Sequence, residues 1–239
     1  MWSGHVDQNW HNDMNYNDDY ARYWDYELIK DINLTLENMD SYSDKILDEQ
    51  KKQFNAELRF IRAYVYFELV RRMGGVPLVT TQLNYDGSGD PSSLQIPRSK
   101  ESEIYDFIYQ ELEDIQQNFS TIDAYTTIKS KTRANKYIAL ALQSRAMLYA
   151  GSIAKYNSLM SLPITTAGGE VGIPASRANE YYQKSLDASK AIIANPNYEL
   201  YNPTGGKKGE HFYNLFMDKS VKEMIFAKDF MTGKVHGFT

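Results

Sequence analysis

The residues best suited to chemistry stand at the start of the chain, where large rings alternate with amide and carboxylate side chains. Trp2, Trp10 and Tyr16 lie among Asn12 and further Asn and Asp residues. Tyr and Trp carry an apolar ring that stacks on the C–H face of a sugar, and amides and carboxylates pair with hydroxyls. We therefore predict that Trp2, Trp10, Asn12 and Tyr16 contact a saccharide. The alternative that the sequence leaves open is that these rings anchor a long loop on helices beneath it.

The motifs of several common enzyme and metal-site classes are missing. No Gly-x-Ser-x-Gly nucleophile elbow occurs, and the Gly-rich run at 205–209 lacks the spacing of a phosphate loop. No two of the four histidines stand four residues apart, as a helical zinc site would need. A calcium-like start at Asp13 fails, because Asp18 replaces the required Gly and Trp24 replaces the bidentate Glu. We expect no catalytic residue, no metal and no cofactor, and therefore no enzyme.

Composition excludes further classes. The 239 residues carry a net charge of -5, contain no cysteine and are 42% hydrophobic. A nucleic-acid binder needs a basic face, and here the densest basic spots are only Arg71-Arg72 and Lys207-Lys208. Without cysteine the chain has no disulfide and no thiolate metal site. No apolar run approaches the roughly 20 residues that cross a bilayer.

Apolar periodicity predicts an all-α chain with long loops and minor short strands. The predicted helices cover about 20–39, 43–73, 99–115, 133–156, 177–194 and, more briefly, 211–217. A strand is expected at Met224-Ile225-Phe226, because three apolar residues follow one another there. We expect one domain over 1–239, with a loop at 1–19, helical repeats at 20–200 and a loop and short-strand region at 201–239.

The second predicted helix carries two apolar stripes, which indicates burial on two sides as in the middle of a helical stack. The stripes are Phe54, Leu58, Ile61, Val65 and Leu69, and Ala56, Phe60, Ala63, Phe67 and Val70. Its charged residues Glu57, Arg59 and Arg62 are then predicted to form partly buried ion pairs between helices. Glu111 and Asp114, on the third helix, are predicted to be solvated.

The fourth and fifth helices have the pattern of a tetratricopeptide pair. The fourth helix is rich in small residues. The fifth is close to the second-helix pattern of that repeat, with Ala178, Tyr182, Leu186, Ala188 and Ala191 followed by Pro196. The loops are longer than in regular arrays, so the predicted fold is an irregular tetratricopeptide-like helical solenoid. An unrelated helical bundle is the alternative.

The run from Ala56 to Val70, followed by Gly74-Gly75-Val76-Pro77-Leu78, resembles the signature helix of the SusD/RagB family. These proteins are outer-membrane nutrient-binding lipoproteins of Bacteroidetes-type glycan uptake systems. Further segments resemble the family in the same order along the chain, so that the resemblance covers about 24–230. Trp24-Asp25-Tyr26 resembles an early helix, and the run from Glu103 to Ile108 resembles the next one.

The resemblance implies a surface-exposed lipoprotein of the cell outer membrane. Such a protein binds oligosaccharides or polysaccharides without cleaving them and delivers them to a TonB-dependent transporter of the SusC-like kind. It also implies that this chain is truncated at both ends and lacks the lipid anchor, which would be the only membrane attachment. Two alternatives stay open, namely capture of peptides or another nutrient with the same transporter, and a cytoplasmic tetratricopeptide scaffold.

Overall fold

The structure is a computed structural model, and it describes residues 24–85, 87–119, 131–202, 205–218 and 220–228. Within these ranges the architecture is helical. The α-helices are α1 Tyr26–Asn38, α2 Asp48–Met73, α3 Glu101–Ile115, α4 Lys136–Asn157, α5 Ala178–Ile193 and α6 Lys208–Met217. Short 3-10 helices cover Met39–Lys45, Pro91–Leu94 and Ala175–Arg177. The predicted all-α class is confirmed.

Side-chain caps explain where several helices begin. Asp25 Oδ1 accepts a hydrogen bond from Leu28 N at 3.1 Å at the start of α1. Asn135 Oδ1 accepts from the second and third amides of α4 at 2.9 and 3.0 Å. The Glu103 carboxylate accepts from Lys100 N at 3.0 Å at the start of α3. Each cap satisfies an amide that has no partner inside its helix.

The first five α-helices pack on one another in the order in which they follow along the chain. α1 contacts α2, α2 contacts α3, α3 contacts α4 and α4 contacts α5. One continuous core runs through these interfaces and includes Phe67, Ile104, Met147 and Tyr181, each at most 1% exposed. Nearest-neighbour packing around a shared core is the arrangement of a helical solenoid. The structure therefore agrees with the predicted tetratricopeptide-like fold.

Burial of α2 differs between its two apolar stripes. Every member of the stripe from Ala56 to Val70 is buried, as predicted. In the other stripe Leu69 is buried, but Ile61 is 39% exposed, and Phe54, Leu58 and Val65 are half-buried. Burial on two sides is therefore complete for one stripe and partial for the other, because α1 lies beside only part of this face and leaves a groove along the rest.

The contact between α4 and α5 depends on a glycine. A Cβ at Gly151 would lie 2.8 Å from Cδ1 of Tyr182, so a larger residue here would force the tyrosine ring to shift. The buried face of α5 consists of Ala178, Tyr181, Ser185, Ala188 and Ile192. It differs from the predicted set by one residue at three positions, and Leu186 is exposed.

No strand occurs in the part of the chain that the structure describes, so the expectation of a strand at Met224-Ile225-Phe226 is wrong. Ala227 N donates to Lys131 O at 2.8 Å, but no ladder of such bonds forms. The apolar segment after α2 has no strand partner either, since side chains occupy its backbone groups. Tyr66 Oη binds both the amide and the carbonyl of Val79, and Asn33 Nδ2 donates to the same carbonyl at 3.1 Å.

The end of α2 is a close crossing of three segments. Gly74 has a φ of 71°, which favours glycine, and its amide donates to Val70 O. Any side chain on Gly75 would collide with the carbonyl of Ser99, and Gly75 N donates to Glu170 O at 2.5 Å. The glycine pair therefore fixes the position of the loop at 166–172 against α2 and α3.

Candidate ligand-binding surfaces

A buried group of charges fixes α2 against α3. Arg62 donates to Glu111 Oε2 at 2.7 and 3.1 Å, and Arg59 donates to Glu111 Oε1 at 2.6 and 2.9 Å. Arg62 also donates to Asn33 Oδ1 at 2.7 Å, which brings α1 into the same network. The predicted ion pairs of Arg59 and Arg62 are confirmed. The expectation that Glu111 is solvated is wrong, because two guanidiniums bind it and bury it.

A second ion pair continues this network toward α4. Arg133 donates to both oxygens of Glu57 at 2.6 and 3.0 Å, so the predicted pairing of Glu57 is also confirmed. Ion pairs in such places fix the register of neighbouring helices more than they add to stability. These ion pairs therefore form a frame that holds α1, α2, α3 and the start of α4 in register.

A cleft of about 600 Å³ opens between the end of α2, the second half of α4 and the loop that follows α4. We call it the arginine cleft. Its lining includes Arg71 and Arg72 from α2, and Ser152, Tyr156 and Asn157 from α4. Tyr156 is 56% exposed, so a face of its ring is open to a ligand. The volume lies within the range of small-molecule sites, which is roughly 300–1,000 Å³.

The two arginines of the cleft are held by one carboxylate. Arg71 Nη2 donates to Glu68 Oε2 at 2.6 Å, and Arg72 Nη1 donates to the same oxygen. Burial alone would raise the pKa of Glu68, but the hydrogen bonds from Arg71 and Arg72 hold this pKa below its usual value. One carboxylate oxygen thus holds both guanidiniums at the wall of the cleft.

Glu101 lies in the floor of the cleft and is closed from solvent. Gly172 N donates to its Oε2 at 2.6 Å, which binds the loop after α4 to the start of α3. Burial raises the pKa of Glu101, while the Gly172 amide and the charge of Arg98 act in the opposite direction. Nearby, the Tyr105 hydroxyl and Arg71 Nε are buried without a hydrogen-bond partner among the described residues.

Two further grooves run along the open face of α2. The first, of about 910 Å³, lies between α1 and α2 and is lined mainly by apolar residues, with Leu34, Phe54 and Ile61 among them. The second, of about 750 Å³, includes Tyr64 and Phe226. Ile61 lines both grooves, so they meet at one residue. Most of the lining is rings and aliphatic chains, and polar residues such as Asn38 and Glu57 take part in the first groove.

The saccharide contacts predicted from the sequence, Trp2, Trp10, Asn12 and Tyr16, lie outside the described residues and stay predictions. In the ranges that the structure describes, no group of three His, Asp or Glu side chains could hold a metal ion. Sequence reasoning missed the arginine cleft. The adjacent arginines at the end of α2 were visible, but their neighbour Tyr156 is far away in sequence.

None of the helices in the described ranges is both long and apolar enough to span a bilayer. The chain matches the SusD-like family described as "Starch-binding associating with outer membrane" over residues 1–148. Since the match covers more than half of the sequence, the chain belongs to the SusD-like family. This confirms the resemblance seen in the signature helix.

Individual relatives agree with this assignment. The SusD-like protein P38 of Formosa agariphila is 27% identical over 141 residues, which are 58% of this chain and 25% of the relative. A SusD-like protein of Bacteroides fragilis has a TM-score of 0.62 at 24% identity and covers 90% of this chain. The surface glycan-binding protein A of Bacteroides uniformis has a TM-score of 0.56 at 21% identity and covers 89%. Both structures establish the fold.

The chain spans only part of these relatives. It covers 25% of the curated relative, 34% of the Bacteroides fragilis structure and 39% of the Bacteroides uniformis structure.

Proposed function

We propose that this protein is the glycan-binding component of an outer-membrane uptake system, where it captures oligosaccharides or polysaccharides at the cell surface without cleaving them. The observation that carries this proposal is membership of a family described by starch binding and outer-membrane association. The lack of known catalytic motifs in the sequence is consistent with binding alone, and so is the solenoid frame, which presents surfaces without a metal-binding cluster in its described part.

Delivery to a partner belongs to the same proposal. A surface protein that captures a glycan needs a transporter to move it across the outer membrane, and the family resemblance implies a TonB-dependent barrel of the SusC-like kind. The attachment is proposed to be a lipid anchor. Support for this part comes from the family alone, since the described helices carry no surface that identifies the transporter.

One segment of the sequence and one cleft of the structure support a saccharide as the ligand. The N-terminal segment supplies Trp2, Trp10 and Tyr16 together with Asn12, which is the mixture of rings and amides that sugars need. The arginine cleft supplies the exposed ring of Tyr156 beside guanidinium and hydroxyl donors. Separate contact points on one protein are well suited to a polymeric ligand, because each adds avidity to the others.

Isothermal titration calorimetry of the purified protein against a glycan panel tests the proposal. The panel contains maltoheptaose as a starch fragment, neutral β-linked oligosaccharides and acidic oligosaccharides, with a peptide library of similar size as the comparison. Binding of at least one glycan, with unchanged glycan chain length after incubation, is the expected result. Binding of peptides with no glycan binding would overturn it, and shortened glycans would overturn the absence of catalysis.

A further inference from the structure

The charges of the arginine cleft differ from those of the rest of the molecule. The chain has a net charge of -5, which repels anions at long range. Within the cleft, however, Arg71 and Arg72 share the single carboxylate of Glu68. Lys155, the residue before Tyr156 on α4, lies with its Nζ 5.4 Å from the ring centre of Tyr156. The cleft therefore presents two guanidiniums side by side on a protein that is acidic as a whole.

The two guanidiniums are held in position before any ligand arrives. The Arg71–Glu68 contact is 2.6 Å, and Arg72 is fixed further by donating to the carbonyl of Glu68 at 2.9 Å. Both side chains keep about a quarter of their surface exposed, at 25% and 26%. A pre-positioned guanidinium loses less entropy on binding an oxyanion than a free one, and its planar fork matches a carboxylate.

The other lining groups fit a sugar ring. Tyr156 offers an exposed aromatic face, and Ser152 places a hydroxyl on the same helix one turn earlier. Glu101 is the acidic residue of the floor, but it is buried and its Oε2 already accepts from Gly172 N. An anionic ligand therefore meets arginines and an aromatic ring, while the nearest carboxylate in the floor is closed off.

We infer that the arginine cleft binds a sugar residue that carries a carboxylate, such as a hexuronic acid, with the carboxylate on Arg71 and Arg72 and the ring on Tyr156. This inference rests on the proposed function, because it names the class of glycan that one surface of the protein selects. With this selectivity, the protein would bind acidic polysaccharides in preference to neutral ones.

Uronic acid trimers and their methyl esters test this inference. The ester keeps the sugar and the linkage but removes the charge, so the ratio of the two affinities reports on the carboxylate alone. The expected ratio is about tenfold or more in favour of the acid, because charge-assisted hydrogen bonds to a carboxylate are stronger than those to a neutral ester. Calorimetry with galacturonic, glucuronic and mannuronic acid trimers covers the common stereochemistries.

Matched variants locate the effect. Arg71→Gln and Arg72→Gln each remove one charge from the cleft and are expected to lower the acid-to-ester ratio at least about threefold. Lys222→Gln removes the same charge from an exposed site elsewhere and is expected to leave the ratio unchanged. Circular dichroism melting of each variant shows whether it is folded. If one of the arginine variants fails to fold, Tyr156→Leu is measured in its place. This variant is expected to weaken the binding of the acid and of the ester alike.

The outcomes separate this inference from the proposed function. Equal affinity for acid and ester, with retained binding of either, would overturn the acidic preference and leave glycan binding intact. Binding of maltoheptaose with no binding of any uronic acid trimer would also overturn the acidic preference and leave glycan binding intact. Stronger binding of a sulfated trimer than of the carboxylated one would have the same meaning. Failure to bind any glycan would overturn both.

Discussion

Arg62 and Glu111 join α2 to α3 through two hydrogen bonds that converge on one carboxylate oxygen, at 2.7 and 3.1 Å. The two side chains are 8% and 7% exposed, so the contact is shielded from water. Asn33 accepts from the same guanidinium and thereby connects α1. Three helices of the solenoid thus meet at one arginine, and their register depends on a polar contact rather than on shape alone.

Arg62→Ala is expected to destabilise the fold by about 3 kcal/mol, because removing one partner leaves the other buried charge incompletely compensated. Arg59 still binds Glu111 and keeps the loss at the lower end of the range for buried pairs. Urea unfolding followed by circular dichroism measures the free energy of unfolding. Glycan affinity of the surviving folded protein is expected to stay the same, since Arg62 belongs to the frame.

Lys222→Ala is the matched control, because Lys222 pairs with Glu199 at 3.2 Å while both side chains are more than half exposed. An exposed pair of this kind contributes about 0.5 kcal/mol or less. If Arg62→Ala were no more damaging than Lys222→Ala, the network between α1, α2 and α3 would not fix their register as argued.

The sequence predicted the fold well where apolar residues repeat and less well where polar residues are buried. The stripe of Phe60 and Phe67 on α2 is visible as a helical repeat, and its burial followed. Glu111 gave no such signal, since a carboxylate on a helix is normally solvated and its two arginines lie far away in sequence. Ile61 shows the opposite error, because apolar character alone does not reveal that no neighbour covers it.

The candidate sites were harder to predict for the same reason. The arginine cleft exists only because the end of α2 comes to lie beside the second half of α4. Arg71 and Tyr156 are distant in sequence, and no local spacing connects them. Several buried positions of α5 were predicted one residue away from the observed ones. Tyr181 and Tyr182 are equally apolar, and only the fold decides which of them is buried.

Glu101→Gln tests the cost of a buried carboxylate. Burial raises the folded-state pKa of Glu101, so the folded protein binds this proton more tightly than the unfolded chain does. Stability from the protonated form is then present below the unfolded pKa, near 4.3, and is lost as the pH rises toward the folded pKa. Gln cannot ionise, and its side-chain oxygen can still accept from Gly172 N.

The free energy of unfolding of Glu101→Gln relative to the unsubstituted protein is therefore expected to increase between about pH 4 and pH 7. Urea unfolding at both pH values measures it. A relative stability that falls over this interval would show that the ionised carboxylate is the favoured form in the fold, which would contradict the assignment of burial as the dominant effect.

Gly151→Ala tests the contact between α4 and α5. Helix propensity alone would favour alanine by about 1 kcal/mol. The added methyl group would lie 2.8 Å from the ring of Tyr182, and such overpacking costs about 1–3 kcal/mol. The expected net result is a less stable protein with a lower melting temperature in differential scanning calorimetry.

Gly209→Ala is the control for this substitution, because it lies in α6 with nothing within 4 Å of its added methyl group. It is expected to leave stability unchanged or to raise it slightly. In a Tyr182→Leu background, Gly151→Ala is expected to cost less, since the ring that it strikes is gone. An undiminished cost in that background would place the clash elsewhere.

Trp10→Ala tests the saccharide contact predicted from the sequence. Loss of a stacking ring is expected to weaken glycan binding by about 1–3 kcal/mol, by analogy with the stacking of nucleic-acid bases on aromatic side chains. The melting temperature is expected to stay nearly constant, because a ring that serves a ligand contributes little to the fold. Calorimetry with the best ligand of the glycan panel and a thermal melt give the two readouts.

Trp24→Ala is the matched control for Trp10→Ala, since Trp24 packs beside Tyr26 with ring centres 5.1 Å apart. Loss of the Trp24 ring should lower stability without changing glycan affinity. A large fall in melting temperature for Trp10→Ala, with affinity retained, would instead identify Trp10 as an anchor of its own segment.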